Sequence, residues 1–128
     1  MSVLVCGIVR DGLGQGRDFT QLDWVRQQVC DKIGFDPYPG TLNLQVENPD
    51  ALAAFRKQRG IAIDPAPGFC SARCLRAQLA GRIAAAWILP DVPGYPSDVI
   101  ELIAPVCLRE TLGVGTGDVV EVEIEIGN

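Results

Sequence analysis

FCSARCLRAQLAGRIAAAWILP, residues 69–90, decides the fold class. Residues 69–79 and 82–89 read as two strands joined at Ala80-Gly81, the second stopped by Pro90. A joint this short makes the pair antiparallel, because parallel neighbours need a crossover of about a dozen residues or more.

Working outward, the flanking segments repeat this pattern of short elements. Upstream, residues 2–10 are rich in Val, Leu and Ile and read as a buried strand that runs into a glycine loop at 12–16. Thr20 and Asp23 form a capping-box-like pair, and Leu22, Val25, Val29 and Ile33 keep helical spacing until Gly34. An irregular loop at 35–40 leads into Thr41-Leu42-Asn43-Leu44-Gln45-Val46, whose strict alternation predicts a half-buried strand. Asn48-Pro49 reads as a cap with a proline at the first helical position, and a short helix follows over 51–59 before Gly60. Downstream, residues 91–97 form a Pro/Gly-rich loop and 98–103 a strand. Pro105 opens a short helix through Leu112, and Gly115 to Asp118 turn into a final strand at 119–126, whose Glu121, Glu123 and Glu125 face solvent. These strands and helices show no regular βαβ alternation. They predict a mainly β protein, β with short helices, arranged as a small antiparallel barrel in a single domain over residues 1–128.

Composition narrows the chemistry. Sixteen acidic residues against 11 basic ones give a net charge of −5, which speaks against nucleic acid as a partner. With no histidine, the Ser-His and Cys-His nucleophile pairs and nearly all catalytic zinc sites are excluded. The first apolar run, Val3 to Val9, is too short for a signal-peptide core, and no run reaches the ~20 residues of a membrane span. Five cysteines without scaffold spacing predict reduced thiols, hence a cytoplasmic protein with no membrane partner, and a monomer is the expected state. Cys70 and Cys74, if on one strand, stand ~13 Å apart, too far to share one ion. Trp24 and Trp87 sit in apolar patterns and are expected in the core.

Three constellations carry possible chemistry. Gly12-Leu13-Gly14-Gln15-Gly16 with Arg17 lets backbone N–H groups converge on an anion, or is a plain tight loop; it is neither a Walker A motif nor a dinucleotide fingerprint. Thr41 and Asn43 lie two apart on a strand and present two neutral oxygens to one side, suited to Mg²⁺ or simply solvated. Glu101 is a lone acid among Ile100, Leu102 and Ile103, placed to accept a proton, to bond a hydroxyl or to face water, and Arg109 follows as a ligand for a phosphate or a nucleobase, or as a surface charge.

Together and in this order, Gly12 to Arg17, Gly34-Phe35-Asp36-Pro37-Tyr38-Pro39-Gly40-Thr41-Leu42-Asn43, Val99 to Arg109 and Gly117-Asp118 make the chain resemble the archaeal-type CTP-dependent riboflavin kinases along essentially its whole length. The resemblance implies a small six-stranded cradle-loop barrel. It also implies that Gly12, Leu13, Gly14, Gln15, Gly16, Arg17 and Asp18 wrap the phosphates of CTP, while Val106, Cys107, Leu108 and Arg109 line its cytosine and ribose side. Thr41 and Asn43 would ligate Mg²⁺, and Glu101 would lie against riboflavin as the candidate proton acceptor. The implied reaction moves the terminal phosphoryl group of CTP onto riboflavin, giving FMN and CDP. The rival readings are a CTP-dependent kinase of another small alcohol and a non-catalytic nucleotide- or flavin-binding module. One stretch departs from the family pattern: where the family has a flavin-contacting Thr and then a His, this chain reads Pro93-Gly94-Tyr95-Pro96, so that Pro93 offers only its carbonyl.

Overall fold

The computed structural model describes residues 2–12, 19–47 and 49–126. Along these residues run β1 (Ser2–Arg10), α1 (Asp23–Gln28), β2 (Leu42–Gln45), α2 (Ala53–Arg56), β3 (Ile61–Ile63), β4 (Ala72–Leu79), β5 (Ile83–Pro90), β6 (Val99–Ile103), α3 (Leu108–Leu112) and β7 (Val119–Glu125). The stretch at 69–90 is the antiparallel hairpin β4–β5, paired from Ala72↔Pro90 to Leu79↔Ile83. Its joint is a two-residue turn in which Ala80 (φ 52°) and Gly81 (φ 67°) are both left-handed and the Arg82 N–H donates to the Leu79 carbonyl. Two positive φ angles make this a type I′ turn, whose twist matches that of the strands it joins.

The sheet continues antiparallel in the order β4-β5-β6-β2-β1-β7, and β7 returns to β4 through Ala77↔Ile124 and Leu79↔Val122. This closes a six-stranded barrel, as expected. β3 is a seventh strand that the sequence reading did not foresee. It pairs with the opposite end of β4, Ile61↔Cys74 to Ile63↔Ala72, outside the closed ring.

Alternation assigns the two faces. Val5, Val9, Leu44, Leu75, Leu79, Trp87, Ile100, Val122 and Ile124 fill the barrel, while Glu121, Glu123 and Glu125 are exposed on β7. Ala86 and Ile88 on β5 and Ile103 on β6 point outward but are also buried, because Val25, Val29 and Ile33 cover them. This explains the unbroken apolar run of β5, which is buried on both faces. Burial also pushes the Cys74 thiol up to about 12, so it stays protonated. Trp87 is fully buried against Phe55, and Trp24 is partly buried between Phe19 and Phe69.

Several element boundaries differ from expectation. The predicted helix through Ile33 is α-helical only to Gln28 and widens into a π turn over Val29–Ile33, closed by Gly34 at φ 104°. Leu22, not Thr20, is the N-cap. Thr20 is buried and its Oγ1 accepts the Gly40 N–H, so it anchors the 35–40 loop instead. The predicted helix at 51–59 is a 3₁₀ turn, Pro49–Leu52, followed by the single turn of α2, because Leu52 and Phe55 turn into the barrel end. The Asn48 cap lies outside the described residues. α3 starts at Leu108 rather than Pro105, since Cys107 is still extended at φ −72°, ψ 106°.

Candidate active site

Side chains excluded from the barrel interior form its outer face, and the register places three of them side by side. Arg10 on β1 is the partner of Asn43 on β2, and Asn43 is the partner of Glu101 on β6. Their strand neighbours Val9, Leu42, Leu44, Ile100 and Leu102 are buried inside. Directly opposite residues hold their Cβ atoms about 5 Å apart. Arg10, Asn43 and Glu101 are therefore one continuous row, and they floor an open cleft of about 670 Å³.

The edge formed by Gly12 passes directly over Asn43. A Cβ at residue 12 would stand 2.4 Å from Asn43 Nδ2, so a side chain here would have to push the Asn43 amide aside. Asn43 Nδ2 donates to Thr41 Oγ1 at 3.3 Å. Turning the amide over would put Oδ1 where Nδ2 stands, about that distance from the hydroxyl. Two neighbouring ligands of a metal octahedron with bonds of ~2.1 Å are ~3 Å apart, so the pair fits Mg²⁺. Among the described residues no group of three or more Cys, Asp or Glu is placed to hold a metal.

The facing wall is the loop between β5 and β6. The Tyr95 N–H donates to the Val92 carbonyl, with Pro93 and Gly94 (φ 79°) between them. Pro at the second position and a left-handed Gly at the third are the marks of a type II turn. This turn carries the Tyr95 hydroxyl onto Glu101 Oε1, to which it donates. Desolvation first, and then this bond, push the Tyr95 pKa well above the usual phenol range and fix it as a proton donor. Among the described residues, no side chain donates to Glu101 Oε2. Asp91 at the start of the loop is held by Ser71 and Arg73, and the carbonyls of Pro96 and Ser97 at its end accept from Arg56.

At the other rim, Arg109 contacts Asp11 Oδ1 at 3.1 Å and Thr116 Oγ1 at 3.3 Å, and the Thr116 hydroxyl donates to the same Asp11 oxygen. The Thr116 hydroxyl first, and then Arg109, lower the Asp11 pKa. Gly40, Thr41 and Arg109 also border a smaller recess of about 90 Å³, flanked by Tyr38, Val106, Cys107 and Leu108. Val106 and Cys107 are partly open there, while the Leu108 side chain is buried in the core.

The structure thus brings together Gly12, Thr41, Asn43, Pro93, Glu101 and Arg109 around one cleft and puts Val106 and Cys107 at the adjoining recess. Leu13, Gly14, Gln15, Gly16, Arg17 and Asp18 lie outside the described residues. Sequence reasoning missed Arg10, Asp11 and Gln45 as lining residues, and gave Tyr95 no role. Alternation along residues 2–10 does put Arg10 on the face opposite Val9, but only the β1–β2 register reveals that this face is the cleft.

Residues 9–124 match the family model CTP-dep_RFKase, described as "Domain of unknown function DUF120". A curated relative named riboflavin kinase from Methanocella arvoryzae is 42% identical over 123 residues, 93% of this chain and 56% of the relative. One of the same name from Archaeoglobus fulgidus is 36% identical over 132 residues, 96% of this chain and 55% of the relative. A third, from Methanothermobacter thermautotrophicus, is 33% identical over 117 residues, 91% of this chain and 95% of its own length. The chain spans just over half the length of the first two and matches the third nearly end to end. With a family match over nearly its whole length, this chain belongs to the archaeal-type CTP-dependent riboflavin kinase family.

Proposed function

We propose that residues 1–128 act as a single, monomeric, cytoplasmic domain that transfers the terminal phosphoryl group of CTP to the 5′-hydroxyl of riboflavin, giving FMN and CDP, with Mg²⁺ as its metal. The observation that carries this reading is the register-locked floor of the cleft, with Asn43 beside Thr41 and under Gly12 at one end and Glu101 at the other. The relatives' name, riboflavin kinase, supports the acceptor, and the family model's name supports CTP. Five free cysteines suit a reducing compartment, and among the described residues no helix is long and apolar enough to cross a membrane.

Phosphoryl transfer runs through a loose transition state, so the protein's task is chiefly to position the partners and neutralise charge. Bound Mg²⁺ would be held by Thr41 Oγ1 and Asn43 Oδ1 and would supply charge neutralisation at the donor's phosphates. The phosphates are assigned to Gly12 and to the residues that follow it in the glycine-rich stretch, and the base and ribose to the recess at Val106 to Arg109. On the other side, the free oxygen of Glu101 accepts the acceptor's O–H and orients it. As the 5′-oxygen forms its bond to phosphorus, the bond to the bridging oxygen of CDP breaks, and Glu101 is the carboxylate in reach for the released proton.

Incubation with Mg²⁺, riboflavin and either CTP or ATP tests this directly: FMN with CTP is the expected result. No FMN with either nucleotide overturns the reading. CTP consumption that requires a different alcohol would transfer the assignment to another acceptor, as the wall built from Pro93 and Tyr95 would then explain.

A further inference from the structure

Arg10 is the one member of the floor that the phosphotransfer reading leaves without a task. Arg26, Arg73 and Arg109 each pair with an aspartate, but Arg10 has no carboxylate within ion-pair distance among the described residues. Its Nε donates to Gln45 Oε1 at 3.0 Å and one Nη1 hydrogen to the Val9 carbonyl at 3.3 Å. A guanidinium has five N–H donors, so among the described residues three are without a protein partner. Gln45 is itself fixed, because its amide donates to Asp98 Oδ2 at 3.1 Å. The chain Asp98, Gln45, Arg10 therefore directs a planar cation over the cleft.

Its position within the cleft decides what it meets. Arg10 stands opposite Asn43, so its guanidinium reaches an anion placed beside Asn43. Gln45, however, draws it along β2 away from Thr41, the side of the small recess, and toward the Val99 and Pro96 side of the cleft. An arginine fork matches phosphoryl oxygens bidentately. We propose that Arg10 binds the phosphoryl group as it leaves the donor and after it has joined the acceptor, and so recognises the 5′-phosphate of the product. This inference rests on the proposed phosphotransfer to riboflavin.

The test compares wild type with Arg10→Gln by quenching of flavin fluorescence, with CDP binding measured separately by calorimetry. FMN affinity is expected to fall about tenfold or more, the loss of one charge-assisted contact, with riboflavin and CDP affinities changed less than twofold. In turnover, kcat should fall while KM for CTP holds. Arg10→Lys keeps the charge without the fork and should recover part of the FMN affinity; it also carries the comparison if melting shows that Arg10→Gln is unfolded. Equal losses for FMN and riboflavin, a larger loss for CDP, or no change overturn the assignment to Arg10 while leaving the phosphotransfer reading intact. A wild type that binds neither flavin and makes no FMN overturns that reading, and this inference with it.

Discussion

Arg10, Asn43 and Glu101 keep their places through the hydrogen-bond ladders of three adjacent strands, whereas the wall at 91–97 is positioned by side chains sent from remote segments. Asp91 is tied to Ser71 and Arg73, Ser97 to Arg56, and Tyr95 to the floor itself through Glu101. The floor is thus as rigid as the barrel, while the wall is as rigid as a few side-chain contacts. If the floor carries the groups that meet the reacting atoms and the wall only shapes the acceptor's side of the cleft, damage to the floor should stop the chemistry, and damage to the wall should loosen acceptor binding first.

The largest effect is expected from Asn43→Ala. Asn43 is partly exposed on the outer face, so the barrel should melt within about 1 kcal/mol of wild type, as surface substitutions do. Turnover, by contrast, should fall at least ~100-fold, the scale for losing a group that supports transition-state charge. Rates of FMN formation at saturating substrates check this. A variant that retains more than a tenth of the activity would break the link between floor and chemistry.

Tyr95→Phe should act on the other side of the comparison. It removes the hydroxyl that occupies Glu101 Oε1 and leaves the ring in the wall. KM for riboflavin is expected to rise about tenfold, from the loss of one hydrogen bond to a charged group, while KM for CTP stays put. An equal rise in both constants would mean that wall and floor are not separate devices.

The same contrast governs what the sequence could reveal. Residues 41–46 alternate strictly, and a period of two says at once which side chains share a face; Asn43 and Thr41 were legible for that reason. Arg10 was not, because its place in the site depends on which strand lies beside β1, and pairing between strands so remote in sequence leaves no local mark. The wall was legible only as a break. Pro93-Gly94 announces a turn, but its purpose, to deliver Tyr95 to Glu101, appears only when β6 is in place. β3 spans three residues, too few to show any period. The π turn at 29–33 preserves the burial of Val29 and Ile33 that helical spacing predicts, so the apolar pattern alone does not distinguish it from a continued α-helix.

A smaller effect is expected from Arg56→Met, which sharpens the claim that remote side chains set the wall. Arg56 donates to the Ser97 carbonyl at 2.9 Å and lies 5.7 Å from the centre of the Trp87 ring, but its Nε is buried without a partner. Methionine keeps the apolar stem over Trp87 and removes the unpaired N–H, which offsets part of the lost bonding. Stability should therefore fall by no more than about 1 kcal/mol, while KM for riboflavin rises about threefold. A fall of several kcal/mol in denaturant melts would show instead that Arg56 belongs to the core and not to the wall.

The smallest effect concerns the opposite rim, where Asp11 meets Thr116 and Arg109 in open solvent. The Thr116 hydroxyl first, and then Arg109, hold the Asp11 carboxyl below the ordinary aspartate value of 3.8 in the folded protein. A group with a lowered folded pKa contributes stability that is fully present above the unfolded value and is lost as pH falls through the folded one. The difference in unfolding midpoint between wild type and Asp11→Asn should therefore be flat between about pH 5 and pH 7 and shrink below the ordinary aspartate value. It should also shrink with added salt, since exposed pairs are screened. A difference that grows on acidification would mean that Asp11 gains nothing from its partners in the folded state. The rim would then be a loose edge, and the ordered part of the cleft would end at the strands.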